Sequence, residues 1–296
     1  MKIAITGSSG LLGSALVSVL RSDGHEVLRI VRQDPTGPDQ RRWDPQAHRI
    51  DAGALDGIDA VVHLAGVGVA SKRWSAAHKE AVLSSRVDGT TTIAAAVAAS
   101  GVPVLVSASA VGWYGDRGDE VLDESDPRGA GFLADVVEQW EASTAAASAA
   151  GARVVCMCIR TGHVLSTDGG ALGTVLPLFK AGLGGRLGSG RQWVPWIAMS
   201  DYLNAVRFLL TAGELSGPVN VVGPDPVRNR DYTLAIGRAL RRPTILTVPG
   251  FALRIALDGF ADEGALVSQR VLPRRLLDAG FEFGYADVDA ALRAIL

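Results

Sequence analysis

Cysteine is nearly absent from this chain, and the two residues present, Cys156 and Cys158, stand two apart in a strand-like run. Neighbours on one face of a strand make poor disulfide partners, and no second Cys/His pair lies at zinc spacing. The expectation is a pair of buried apolar thiols, with no disulfide framework and no metal. Long apolar runs are missing too: residues 60–65 fall far short of the roughly 20 needed to cross a bilayer. Charge of one sign is not in excess, since 29 Lys and Arg balance 31 Asp and Glu for a net −2. That balance removes the electrostatic case for nucleic acid, and no basic amphipathic stretch offers itself to a membrane surface. With 48% hydrophobic and 20% charged residues, a disordered tail or a coiled coil is excluded as well. The opening Met1-Lys2-Ile3-Ala4-Ile5-Thr6 reads as a strand rather than a secretory leader, so the expected setting is cytoplasmic.

What the chain does have is alternation. Residues 2–6 form a short apolar strand and residues 11–23 a helix with apolar residues at helical spacing, stopped by Gly24. Strands follow at 26–31, 59–64, 103–109 and 152–159, separated by helices at 75–100 and 130–150. Continuous apolar strands alternating with helices predict an α/β fold, a Rossmann-type doubly wound parallel sheet covered on both faces. After Arg160 the chain turns Gly-rich over 162–190, with a helix at 171–180, a helix at 200–211 capped by Ser200, and a strand at 218–222. Short helices then follow at 231–240, 251–257, 274–279 and 288–295. The expected division is a nucleotide-binding domain over 1–160, completed by about 198–222, and a smaller, mostly helical substrate lobe over 161–197 and 223–296.

Thr6-Gly7-Ser8-Ser9-Gly10-Leu11-Leu12-Gly13 lies between the first strand and the first helix. In such a turn the first glycine permits the bend, the second lets backbone approach a pyrophosphate, and the third allows close helix packing. The helix N-terminus offers unpaired N–H groups to phosphate. The context favours dinucleotide binding over a purely structural turn. At the end of the second strand, an acidic residue would bind the ribose 2′-hydroxyl of NAD, whereas an arginine would pair with the 2′-phosphate of NADP. This strand ends on Arg32, which points to NADP(H), with Arg41 and Arg42 as weaker candidates.

Together with Asp59-Ala60-Val61-Val62-His63-Leu64-Ala65-Gly66 and Val106-Ser107-Ala108-Ser109, the glycine motif resembles those of extended short-chain dehydrogenase/reductases. Several further motifs make the chain similar to the atypical, NAD(P)-dependent "epimerase family" branch of that superfamily, which carries a characteristic C-terminal extension. They are Arg73-Trp74, Ser85-Arg86, Ser109-Ala110-Val111-Gly112-Trp113-Tyr114-Gly115, Arg160-Thr161-Gly162, the stretch 182–192, Ser268-Gln269-Arg270-Val271-Leu272-Pro273 and Ala279-Gly280-Phe281-Glu282-Phe283. The resemblance implies that Leu64, Ala65 and Gly66 lie along the cofactor and that Arg86 reaches towards it. It also implies that Ser107 and Ser109 line the nicotinamide end.

The same resemblance exposes a gap. Short-chain dehydrogenases place a Tyr and a Lys four apart on one helix, where they move a proton while the cofactor moves hydride. Aligned on Glu141, those positions carry Leu133 and Val137 here. Ser109 remains at the serine position, and Tyr114 in the following loop is the foremost substitute, with Asp135, Glu138 and Lys79 behind it. His63, inside a strand, reads as a satisfied core histidine. The stretch 182–192 carries Arg186 and Arg191 and suits an anionic group on a small-molecule substrate, with Trp193, Pro195 and Trp196 as candidate walls. Two functions compete: an oxidoreductase or epimerase acting on a small carbonyl, hydroxyl or sugar-nucleotide-like compound, and an NADP(H)-binding sensor or interaction protein with little turnover. Oligomeric state is not legible.

Overall fold

Ile3, Ala4 and Ile5 are wholly buried at consecutive positions, which a strand achieves only when both faces of its sheet are covered. They belong to β1 (Lys2–Thr6), an inner strand of an eight-stranded sheet. Its companions are β2 (Glu26–Val31), β3 (Gln40–Asp44), β4 (Arg49–Ile50), β5 (Ala60–His63) and β6 (Val104–Ser109), with two further strands at Arg153–Cys158 and Gly217–Asn220. The spatial order is Gly217–Asn220, Arg153–Cys158, β6, β5, β1, β2, β3, β4. Pairings β1–β2, β1–β5, β2–β3 and β5–β6 are parallel, and β3–β4 is antiparallel. The protein therefore has the doubly wound, Rossmann-type sheet its alternation predicts, with the order reversing at β1. Ligands of such sheets sit beyond the carboxyl ends of the strands at that reversal.

This architecture comes from a computed structural model that describes residues 1–158, 163–213 and 215–296, with the side chains of 155–158 outside the description. The readings on Cys156 and Cys158 and on Arg160-Thr161-Gly162 thus lie outside the described residues. The chain forms two compact units. The first comprises Met1–Ser109, Val136–Met157 and Val206–Val219; the second comprises Ala110–Asp135, Cys158–Ala205 and Asn220–Leu296.

In the first unit, α1 (Leu11–Ser22) and α2 (Ala76–Ser100) cover the sheet, and a core of Leu28, Ile30, Val61, Ile93, Val97 and Leu105 fills the space beneath α2. The hydroxyl of Ser75 caps α2 by accepting from His78 N–H at 3.2 Å, and Gly101 ends it in the left-handed conformation at φ 63°. Strands β3 and β4 have no counterpart in the sequence reading. Gln-Arg-Arg-Trp-Asp is mostly polar, and only Trp43 and Gln40 turn inward from an outer strand.

The long helix expected over 130–150 is broken into α3 (Phe132–Ala142) and a short helix at Ala145–Ala149. Ser143 Oγ donates to Gln139 O and Thr144 Oγ1 to Glu141 O, both at 2.7 Å. These bonds compete with the helix ladder at the break. Ser200 is not a cap either, because its helix begins at Met199. The next residue, Asp201, reaches instead to Gly284 N and Tyr285 N at 2.8 and 3.1 Å. The second unit holds small two-stranded sheets, such as Gly185–Leu187 with Leu246–Val248, around a core that includes Trp196, Tyr232, Ile236 and Leu292.

Candidate functional site

The loop between β1 and α1 separates the duties of its three glycines. Gly7 adopts φ +67°, and a Cβ there would fall 2.8 Å from the Leu64 carbonyl carbon. A Cβ on Gly13 would fall 2.1 Å from Gly7 O. Both glycines are demanded by the protein's own backbone. Gly10 is different: its Cβ would meet only Gly7 O at 3.4 Å, an ordinary contact, and its φ of −78° suits any residue. Nothing in the fold forbids a side chain at Gly10, so the bare backbone there leaves room for something else. Beyond it α1 starts with no side-chain cap and no acidic residue in its first turn. Among the described residues the N–H groups around Leu11, Leu12 and Gly13 are therefore left without a carboxylate cap, while Ser8 is buried and Ser9 exposed beside them. A dinucleotide pyrophosphate fits this cradle in size, charge and hydrogen-bonding sense.

The adjoining strand ends bring further residues to the same edge. Arg32 directly follows β2, is exposed, and has no ion pair among the described residues. Arg42 is tied to Asp34 at 2.8 Å, and Arg41 bends back onto the carbonyls of Pro38 and Gln40. Of the three arginines considered, Arg32 alone keeps its guanidinium uncommitted. Leu64, Ala65 and Gly66 continue β5, where the N–H groups of Leu64 and Ala65 donate to Thr6 Oγ1 at 3.1 and 3.3 Å.

Arg86, on α2, is only 7% exposed. Its Nη1 donates to Val67 O at 2.9 Å and Val82 O at 3.0 Å, and its guanidinium stands 4.8 Å over the Trp140 ring. Burial lowers its pKa to about 10, so it remains a cation at neutral pH, and among the described residues it has no carboxylate partner. Gly66 lies against it, since a Cβ there would be 3.6 Å from Arg86 Cζ. A buried cation without a counter-ion is costly, and an anionic ligand beside Gly66 would offset that cost.

Ser107 and Ser109 lie on β6, both buried. Ser107 stands opposite His63 in the β5–β6 register. Ser109 Oγ donates a short hydrogen bond to Glu141 Oε1, within the first unit. Glu141 is a candidate side chain that the sequence does not single out. The signal available was a carboxylate on the helix that packs near a strand-end serine.

Tyr114, the foremost substitute expected for the missing pair, is deeply buried. It is 1% exposed and packs with Val111, Leu122, Val222 and Val271 in the second unit. Its single hydroxyl proton is shared between Asp123 O and Asn220 Oδ1, each at 2.9 Å. A phenol so engaged is a packing and anchoring group. Among the lesser candidates, Lys79 sits 4.6 Å over Trp74 and Asp135 pairs with Arg128. Among the described residues His63 is only half satisfied: Thr6 Oγ1 lies 2.7 Å from Nδ1, while Nε2 is buried with no partner.

Within the second unit a cavity of about 710 Å³ is lined by Asp116, Asp119, Arg191, Arg228, Arg254 and Leu266 among others. Arg228 pairs with Asp119 at 2.6 Å and stacks at 4.1 Å on Trp193, whose other cationic neighbour is Arg270 at 4.5 Å. The Arg228 hydrogen bond holds the Asp119 carboxyl below its ordinary range. Arg186 is bound to Thr247 Oγ1 at 3.0 Å, whereas Arg191 lines the cavity with no ion pair among the described residues. Trp193, Pro195 and Trp196 do not line it; Trp196 is core, its Nε1 donating to Asp225 O at 2.8 Å.

This arrangement matches known proteins along the whole chain. Residues 3–223 match the NAD dependent epimerase/dehydratase family, and residues 248–295 match a domain of unknown function, DUF1731. The chain belongs to the NAD dependent epimerase/dehydratase family. Membership makes it an epimerase- or oxidoreductase-like enzyme that works with a nicotinamide dinucleotide. Epimerase family protein Mb2239 of Mycobacterium bovis is 49% identical over 290 residues, covering 98% of this chain and 96% of that one. The structure of human epimerase family protein SDR39U1 (isoform 2) with NADPH is 31% identical, with TM-score 0.89 and coverage of 100% and 99%. A nucleoside-diphosphate sugar epimerase structure from Corynebacterium glutamicum is 40% identical, with TM-score 0.82; this chain, fully covered, spans 58% of that protein's chain. No helix among the described residues is long and apolar enough to cross a membrane.

Proposed function

We propose that this family member uses NADP(H) in preference to NAD(H) and acts as an oxidoreductase or epimerase on a small carbonyl or hydroxyl compound of the sugar-nucleotide kind. The observation that carries the cofactor preference is Arg32, exposed and unpaired at the β2 end where an NAD-selective fold would place a carboxylate. The human relative solved with NADPH supports the same choice. The Corynebacterium protein, by its description a nucleoside-diphosphate sugar epimerase, supports the substrate class.

In this reading Gly7, Ser8, Ser9, Gly10, Leu11, Leu12 and Gly13 hold the pyrophosphate, Arg32 holds the 2′-phosphate, and Leu64, Ala65, Gly66, Arg86 and Ser107 border the rest of the cofactor. When bound, the nicotinamide supplies or accepts a hydride. Ser109 orients the substrate oxygen and passes its proton to the Glu141 carboxylate as the substrate hydroxyl gives one up; in reduction the relay runs backwards. Serine alone is too weak a base near neutral pH, and the carboxylate behind it supplies the missing proton acceptor. Tyr114 stays outside this path and anchors its loop. Substrate recognition is assigned to the second unit, with Arg191 facing an anionic substrate group, and the setting is cytoplasmic.

A second reading, cofactor binding with little turnover, draws on Leu133 and Val137, which are apolar where the superfamily keeps its Tyr and Lys. The deciding experiment is calorimetric titration with NADPH and NADH, followed by single-turnover hydride transfer with NADPH and a panel of carbonyl and sugar-nucleotide substrates. Equal affinity for the two cofactors overturns the NADP(H) assignment. Tight binding with no hydride transfer on any substrate selects the second reading.

A further inference from the structure

Thr6, at the last position of β1, and His63, at the last position of β5, stand opposite each other in the parallel register, and both are wholly buried. Counting their hydrogen bonds fixes where the protons are. The Thr6 hydroxyl has one proton and two lone pairs. Leu64 N–H and Ala65 N–H both point at Thr6 Oγ1, at 3.1 and 3.3 Å, and occupy the lone pairs. The hydroxyl proton is then free only for His63 Nδ1, 2.7 Å away. Nδ1 must therefore be the bare, accepting nitrogen, and the ring proton resides on Nε2.

That tautomer leaves Nε2–H buried with no partner among the described residues, near Gly89 of α2 and Trp43, whose ring stands at right angles to the imidazole with centroids 5.9 Å apart. Nε2 is orphaned in either tautomer, so the choice between the two is made at Nδ1. With a proton on Nδ1, three N–H groups would crowd one hydroxyl oxygen and one of them would be lost.

The two segments joined by this hydroxyl are the ones that border the cofactor in the function proposed above. Thr6 leads directly into Gly7, whose missing Cβ lets the glycine loop press on Leu64 and Ala65. We propose that His63 is a positioning residue: by accepting from Thr6 it holds the hydroxyl so that the glycine loop and the Leu64–Ala65–Gly66 strand end stay in register for NADP(H). The inference rests on the NADP(H) reading of the site and adds to it a residue that touches no cofactor atom.

The test uses the full chain in five forms: wild type, Thr6→Val, Thr6→Ser, His63→Gln and the double variant His63→Gln with Thr6→Val. Nitrogen-15 NMR of the wild-type imidazole is expected to show protonated Nε2 and bare Nδ1. Thr6→Val, close in shape and without the hydroxyl, is expected to weaken NADPH roughly tenfold or more. Its Leu64 and Ala65 amides should exchange faster with solvent. Thr6→Ser should restore NADPH affinity to near wild type, and His63→Gln combined with Thr6→Val should be no worse than Thr6→Val alone. A wild-type Nδ1–H tautomer overturns the inference by itself. So does a folded Thr6→Val that binds NADPH within about threefold of a binding wild type. A wild type that binds neither NADPH nor NADH overturns the proposed function, and the inference with it.

Discussion

The first unit gathers its candidate ligand groups at one sheet edge, whereas the second assembles its cavity from five separated segments. In the first, β1, β2, β5 and β6 are parallel, so their carboxyl ends necessarily share an edge and deliver Gly7, Arg32, Leu64 and Ser109 to it. In the second, the cavity draws on residues near 116–119, 188–192, 249–254 and 266–268 and on Arg228, segments far apart in the chain. The two also differ in how much is already spent. Arg32, the first turn of α1 and the charge of Arg86 are left without protein counter-ions among the described residues, while Arg228 and Arg254 are committed to Asp119 and Asp262. A site open to an anion keeps its partners free; a cavity with internally paired charges selects by shape and by the groups left unpaired.

The largest effect that would sharpen this contrast is chemical. Ser109→Ala and Glu141→Gln should each lower turnover by roughly 10²–10⁴-fold, the range for losing a positioned proton carrier, with NADPH affinity changed less than twofold. Steady-state kinetics beside calorimetry checks both, and undiminished turnover in either variant removes that residue from the proton path.

The glycine division comes next. Gly13→Ala forces a Cβ into the Gly7 carbonyl and should destabilise the protein by about 3 kcal/mol in urea denaturation. Gly10→Val should stay within about 1 kcal/mol of wild type yet lose NADPH binding. A Gly10→Val protein that binds NADPH normally would move the pyrophosphate elsewhere.

Of similar size is the pH dependence of the first unit. Burial depresses the His63 pKa to about 4, so below pH 6.5 the unfolded chain takes up a proton that the native state refuses. Stability should therefore fall as pH drops through that window at about 1.4 kcal/mol per pH unit, for a total near 3 kcal/mol. His63→Gln should lack that component when denaturation midpoints are compared from pH 7 to pH 4.5, and identical slopes would count against the burial argument.

The smallest pair of effects tests the two units against each other. Arg32→Ala should weaken NADPH by about 1.5–3 kcal/mol and hardly alter NADH, the range for bonds to a charged group. Arg191→Ala should raise KM for an anionic substrate by about 1 kcal/mol and leave both cofactors alone. Cofactor loss on Arg191→Ala would break the proposed separation of roles.

How far the sequence could be read follows from where interactions are local. The glycine loop, Arg32 at its strand end and the alternation that makes a parallel sheet all depend on neighbours in sequence, and each was legible before any coordinates. The polar outer strands β3 and β4 carried no periodic apolar signal. The break in the 130–150 helix turned on two hydroxyls bonding back to the chain at Ser143 and Thr144. Glu141 was unreadable as a site residue because its partner Ser109 lies 32 residues away and is brought to it only by packing. The partner of Tyr114 was hidden for the same reason: its acceptor Asn220 is 106 residues distant, and a tyrosine in a glycine-flanked loop gives no sign of it. The sequence alone determined the sheet, the glycine loop and the arginine that ends β2, because backbone geometry and strand direction are set by short-range sterics. Only the tertiary structure decided which polar groups are spent on one another and which stay open, because a hydrogen-bond partner is chosen by proximity in space.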